Sequence, residues 1–311
     1  MEFCIHCMEP LEAGAAFCPK CGKAQSDACP PHHLQPGTLL SGRYLLGTAL
    51  GSGGFGITYI AHDTRLEMTV AVKEFFPAGY VQRSASSSSD VLPLPQKRGD
   101  FKKSRHRFLA EAKLLRGLRA APGFAAPLDA FEENNTAYVI LRYLRGDTLK
   151  AYLKKRGGRL PFDEATALLR PVMDALSCMH RKGILHLDVS PQNILITDEG
   201  AVLMNTDLAA RIKDARPVMV SRGDSPPEIY LKKDLGPWTD VYSFCATLFH
   251  CVTGHPPTDA LERLGNPDAG VSFDGTDVSP AAQAALTKGL ALQPKDRCRS
   301  IEEFCKMLDR W

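Results

Sequence analysis

The sequence predicts an α+β protein, with a strand-rich part followed by a mainly helical one and a compact cysteine module in front. Two Cys-x-x-Cys pairs fall within the first 21 residues. A run of alternating apolar residues broken by glycines begins at Leu39. From Pro161 onward, apolar residues recur at helical spacing. A chain of 311 residues suffices for one large core, or for two lobes and a small module. Its 44% apolar and 23% charged residues are ordinary for a globular protein. A formal charge of +3 gives no case for nucleic acid, and "QKRGDFKKSRHR" near residue 100 reads as a solvated loop and helix start. The longest apolar run, "VYSFCATLFHCV" (241–252), is too short to span a bilayer. The start "MEFCIHC" lacks the basic end and apolar core of a signal peptide, so a cytoplasmic chain with reduced thiols is expected.

In the first 22 residues, "CIHC" and "CPKCG" give two C-x2-C pairs separated by ten residues. Four thiolates so spaced close a tetrahedral site, which predicts a zinc ribbon over 1–22 held by Cys4, Cys7, Cys18 and Cys21. With four protein ligands the zinc is structural, and it supplies the folding energy that so short a segment cannot draw from a core. Residues 23–37, "KAQSDACPPHHLQPG", read as a linker, with Cys29 unassigned. Cys178, Cys245, Cys251, Cys298 and Cys305 lie on apolar helical patterns as small core residues.

"LLSGRYLLGTALGSGGFGITYIA" predicts strand, turn and strand. Gly51, Gly53 and Gly56 fit G-x-G-x-x-G, in which backbone N–H groups approach phosphates; alone the pattern is weak. "TVAVKEFF" is an apolar strand carrying Lys73, and a Lys on a buried strand needs a partner. The helix "SRHRFLAEAKLLRGLR" has a stripe of Phe108, Ala112, Leu115 and Leu118 with Glu111 beside it. In the second half, Leu168, Leu169, Val172, Met173, Leu176 and Met179 mark a buried helix, followed by "HLDVSPQN" with Asp188 and Asn193.

Together Gly51–Gly56, Val70–Lys73, Glu111 and His186–Asn193 resemble the eukaryotic-type (Hanks-type) protein kinases, above all bacterial serine/threonine kinases with an N-terminal zinc ribbon. The resemblance covers roughly residues 40–311. It implies a kinase domain at 38–311, with an N-lobe to about 143 (antiparallel sheet plus one helix), a hinge, and a mainly helical C-lobe from about 144. It further implies that Lys73, oriented by Glu111, holds the α- and β-phosphates of ATP. Leu141 would sit behind the adenine, with the backbone around Tyr143 reading its edge. Asp188 would take the substrate hydroxyl's proton, and Asn193 would hold magnesium. Pro226-Pro227-Glu228, a Glu228–Arg297 pair and Asp240 as brace of the catalytic loop complete the pattern.

Four departures matter. "GYVQRSASSSSDVLPLPQKRGD" (79–100) is longer than the family's connection and reads as a mobile loop. Leu187 stands where the family has an Arg that pairs with a phosphorylated loop, and Ser190 where it mostly has Lys. The family's metal-binding Asp falls on Thr206, with Asp207 one place late and Leu208 in place of Gly. On an extended segment that shift points Asp207 to the other face, so it reaches magnesium only if the backbone bulges or flips. Three functions stay open: a Ser/Thr protein kinase with impaired transfer, a pseudokinase binding nucleotide or a regulatory partner, and a small-molecule phosphotransferase.

Overall fold

The computed structural model of the chain describes residues 2–26, 29–84, 89–119, 121–204, 210–211, 222–231, 233–266 and 269–308. The chain divides into two units, residues 1–119 with 126–144 and residues 120–125 with 145–311.

The first unit opens with the cysteine module, where β1 (Glu2–Phe3) pairs antiparallel with β2 (Pro10–Leu11). Next come β3 (Leu39–Leu40), β4 (Tyr44–Ser52), β5 (Gly56–Asp63) and β6 (Met68–Phe75). A hairpin of β7 (Val81–Arg83) and β8 (Val91–Pro93) follows, then α1 (Arg98–Leu115), β9 (Pro127–Glu133) and β10 (Thr136–Arg142). Six strands form one antiparallel sheet in the order β3-β4-β5-β6-β10-β9. Alternation puts Val70, Val72 and Glu74 on one face of β6, opposite Ile140 and Tyr138 of β10, and Lys73 on the other. Phe75 packs against Phe101 and Phe108 of α1, and Ala112, Leu115 and Leu118 of the expected stripe are buried.

Two stretches differ from expectation. Residues 79–100 contain a paired hairpin, with Val81 and Val91 inside the core; the apolar positions of a two-stranded ladder gain more by covering the sheet than by staying in water. Within it, residues 85–88 lie outside the described residues, and α1 starts at Arg98, upstream of Ser104. In the stretch expected as a linker, Leu34 is 2% exposed in the sheet's core, and its N–H donates to Tyr59 Oη at 3.0 Å.

The second unit runs β11 (Asp147–Thr148), α2 (Leu149–Lys155), α3 (Phe162–Arg181), β12 (Ile184–Leu185), β13 (Ile194–Thr197), β14 (Gly200–Leu203) and β15 (Ala210–Arg211). Then come α4 (Pro227–Leu231), α5 (Pro237–Thr253), α6 (Ala260–Gly265), α7 (Pro280–Gly289) and α8 (Ile301–Leu308). Of the stripe predicted on α3, Leu169, Val172, Met173, Leu176 and Met179 are buried; Leu168 is half-buried. α5 is apolar nearly all round and correspondingly buried. Among the described residues no helix is long and apolar enough to cross a membrane.

Candidate active site and metal centre

In the first unit β4 and β5 meet at the glycine turn, closed by Gly53 N–H to Gly56 O at 2.9 Å. Gly56 is required sterically, because a Cβ there would overlap the Glu74 carbonyl oxygen of β6. At Gly51 and Gly53 a Cβ would meet nothing within 4 Å. The protein thus leaves space over their exposed backbone that a ligand's phosphates can approach. Lys73 is half-buried mid-strand, opposite Thr58 of β5 and Val139 of β10, on the face that also carries Ala71 and Leu141. Glu111 lies on α1, where its Oε1 accepts from Arg107 Nε at 2.8 Å.

The strand's fully buried charge is Glu74, beside Lys73 on the opposite face. Arg83 from the hairpin clamps it through Nη1–Oε1 at 2.7 Å and Nη2–Oε2 at 2.5 Å. Tyr59 and Tyr138 donate hydroxyls to the same carboxylate at 3.0 and 3.1 Å. Arg83 also donates to His32 O at 3.0 Å, joining residues 32–34 and the hairpin to the sheet. Neither residue is marked by a motif; the available signal was a Glu in an apolar strand, with Val72 and Phe76 two positions to either side of it.

In the second unit, the loop from His186 to Asn193 hangs from one carboxylate. Asp240 of α5, fully buried, accepts the N–H of His186 and of Leu187 at 2.8 Å each, and His180 Nε2 at 2.9 Å. Burial alone would raise the Asp240 pKa, but hydrogen bonds and charge from His180, with His186 adding to them, hold it below the ordinary value. His186 is completely buried, which lowers its pKa and keeps the ring neutral. Its Nε2 lies 3.0 Å from Met204 O, so Nε2 carries the proton and Nδ1 accepts from Asp188 N–H at 3.3 Å. Asn193 Nδ2 donates to Asp188 O at 2.9 Å and to Asp188 Oδ2 at 2.7 Å. The amide's donor side is thereby committed to Asp188, and its oxygen, the atom suited to a hard cation, points the other way.

Leu187 holds φ +68°, a left-handed conformation uncommon for a side chain of its size, and packs with Leu185, Ile229 and Leu235. Where the sequence resemblance led one to look for an Arg, the loop touches α4 through apolar contact. Asp224 was not singled out by sequence. Its Oδ1 is buried and has no hydrogen-bond partner among the described residues, and burial, with the charge of Asp188, pushes its pKa up to about 7. The four positions Asn205, Thr206, Asp207 and Leu208 lie outside the described residues.

The cysteine module brings Cys4, Cys7, Cys18 and Cys21 together, with all four Sγ within 4.8 Å of one another. The Cys4–Cys21 and Cys7–Cys18 Sγ distances are both 3.7 Å. Zinc at about 2.3 Å from each sulfur would set tetrahedral vertices about 3.8 Å apart, so the donor set fits zinc. The His6 N–H and Gln25 Nε2 both lie 3.4 Å from Cys4 Sγ, as hydrogen bonds to a thiolate require.

Residues 44–307 match the family model described as protein kinase domain. The chain belongs to the protein kinase family. Its kinase domain is 31% identical over 287 residues to a probable serine/threonine-protein kinase of Clostridium perfringens, an alignment covering 88% of this chain and 39% of that protein. It is 31% identical over 286 residues to the serine/threonine-protein kinase PknA of Mycobacterium tuberculosis, covering 86% of this chain and 61% of PknA. The chain therefore spans about two to three fifths of the curated relatives it matches. Among solved structures, the apo form of PpkA-294 aligns with TM-score 0.74 and 28% identity, covering 89% of this chain and 99% of that one. A Cys-to-Ala mutant of the Mycobacterium tuberculosis PknI kinase domain, at 23% identity and TM-score 0.64, shares the fold, covering 89% of this chain and 98% of that one.

The fold expected from sequence is the one observed: a sheet-based N-lobe with one long helix, a mainly helical C-lobe, and the cysteine cluster in front. Within the kinase C-lobe the expected Glu228–Arg297 pair is present and buried, with Nη1–Oε1 at 2.7 Å and Nη2–Oε2 at 3.2 Å. Asp240 braces the His186–Asn193 loop as expected.

Proposed function

We propose that this kinase domain transfers the γ-phosphate of ATP to serine or threonine hydroxyls of proteins, slowly, and that the preceding ribbon (1–22) carries one structural zinc. The observation that carries the reading is the loop geometry around Asp188: a carboxylate bonded to Asn193 and fixed through the backbone by buried Asp240. In transfer, the hydroxyl oxygen bonds to the γ-phosphorus as the bond to the β-phosphate oxygen breaks. The hydroxyl proton goes to Asp188, and ADP leaves. The backbone of Gly51, Gly53 and Gly56 and the ammonium of Lys73, with Glu111 orienting it, hold the phosphates; Leu141 and the chain at Tyr143 hold the adenine. Asn193 would hold magnesium, which neutralises phosphate charge when bound.

The slowness follows from Thr206, whose hydroxyl cannot replace a metal-binding carboxylate. The same substitution favours the second reading, a nucleotide-binding regulatory module without transfer. Thr206→Asp decides between them. It should raise transfer about a hundredfold, the range for one charge-stabilising group, while Asp207→Asn should change little. If Asp207→Asn abolishes a robust native activity, the carboxylate has been relocated and the register is wrong.

A further inference from the structure

The ribbon is seated on the strand that leads into the glycine turn. Leu46 pairs with Ala61 and Ala49 with Tyr59, so Gly47 and Thr48 together face only Ile60, a bulge that turns backbone out of the ladder. Thr48 N–H is thereby released from β5 and donates to Ile5 O at 2.6 Å. A Cβ on Gly47 would overlap that same Ile5 oxygen and Met8 Cε and press less closely on Ile60 Cγ2 of β5, so glycine here makes room for the ribbon. His6 Nδ1 lies 3.4 Å from Thr48 Oγ1, and Phe3 stacks on His62 with centroids 4.1 Å apart.

Two placements give these contacts a consequence. Ile5 and His6 lie between the ligands Cys4 and Cys7, so the turn that closes on the metal is also the turn that grips β4. The gripped residues lie close to the nucleotide elements: Thr48 is three residues, about 10 Å, before Gly51 along β4. His62, Ile60 and Thr58 alternate on one face of β5, and Thr58 is opposite Lys73. A ribbon of this size has no core to hold its shape without metal.

We propose that zinc occupancy of the ribbon is coupled to nucleotide binding by the glycine turn, through Ile5, Gly47 and Thr48. With zinc bound the ribbon clamps the β4–β5 hairpin; without it the clamp opens and the turn loosens. The coupling rests on the zinc and nucleotide readings proposed above.

The test uses the full chain, zinc-loaded and chelator-stripped, with two readouts: hydrogen exchange over residues 47–56, and the Kd of a fluorescent ATP analogue. Stripping should speed exchange and weaken the analogue by about fivefold or more, within the ordinary range of coupling between sites. By reciprocity the analogue should slow zinc loss. Phe3→Ala/Met8→Ala, altered on the ribbon side, and Gly47→Ala, altered on the strand side, should each keep one zinc per chain yet bind the analogue at the weakened level. Stripping should then change little further. Zinc held and analogue bound, with neither affecting the other, overturns the coupling alone. A chain that holds no zinc overturns the ribbon reading, and one that binds no analogue overturns the nucleotide reading; the coupling falls with either.

Discussion

Asp240→Asn tests how the His186–Asn193 loop is held. The asparagine keeps the shape of the side chain but has one acceptor oxygen where the carboxylate has two. In the native protein those two oxygens receive three donors, the His186 and Leu187 amides at 2.8 Å and His180 Nε2 at 2.9 Å. The variant sets an NH2 group against at least one of these N–H groups in a fully buried place. Losing a hydrogen bond to a charged group costs about 1.5–3 kcal/mol, and a stranded buried N–H about 1–3 more. Leu187 adds its own demand, since φ +68° persists only while its neighbours over-determine it. A total of about 2.5–6 kcal/mol should lower Tm by at least roughly 5 °C, at about 2–4 °C per kcal/mol for a unit of this size. Amide exchange at His186 and Leu187 should accelerate more than at α3. The acid dependence has a definite sign. A carboxylate held below its ordinary pKa stabilises fully above that ordinary value, about 4, and loses the contribution as pH falls through its lowered folded-state pKa. The carboxylate's own proton therefore leaves the gap between wild type and variant open above about pH 4 and closes it only in stronger acid. A variant melting within 1 °C of wild type at pH 7, with unchanged exchange at both amides, would refute the bracing role.

Arg83→Met leaves Glu74 buried with two tyrosine hydroxyls and no cation, and should cost about 3–5 kcal/mol. The double variant Glu74→Gln/Arg83→Met should melt higher than Arg83→Met alone, and the opposite order in a thermal scan would contradict a paired buried charge. Asp224, pushed up to about 7, binds its proton more tightly folded than unfolded, so its contribution weakens as pH rises from about 4 to about 7. Asp224→Asn should accordingly raise Tm at pH 8 and leave it unchanged near pH 3.5; equal effects at both pH values would contradict the buried acid.

What was legible in the sequence was whatever chemistry or periodicity leaves a local trace. The cysteine pairs, the stripe on α3, Asp240, and Glu228 with Arg297 could be picked out because each sits in a recognisable neighbourhood. The helix α1 was seen from its apolar stripe, but not its start, because Arg98–Lys103 carry mostly charged side chains on an exposed face. Glu74–Arg83 was not legible: Arg83 lies inside the Ser-rich insertion (79–100) whose composition suggested a mobile loop, and the buried valines that anchor it, Val81 and Val91, are only two. Leu34 was hidden for the same reason, one apolar residue in a Pro- and His-rich stretch, placed by Tyr59 rather than by any repeat of its own. Gly47 gave no signal beyond being a glycine in a strand; its meaning depends on Ile5 and Met8, forty residues away. Leu187 was visible as a missing Arg, but the apolar cluster that takes the Arg's place is assembled from three separate segments.

The most direct test of the proposed function is the rate at which labelled γ-phosphate passes from ATP to protein serine or threonine, measured for the wild-type chain and for Asp188→Asn. A slow but reproducible transfer that falls by about a hundredfold or more in Asp188→Asn is expected, a hundredfold being the lower end of what an acid–base group contributes. Equal transfer by the two proteins would contradict the role of Asp188. No transfer by the wild-type chain under conditions where it binds nucleotide would contradict the kinase function itself.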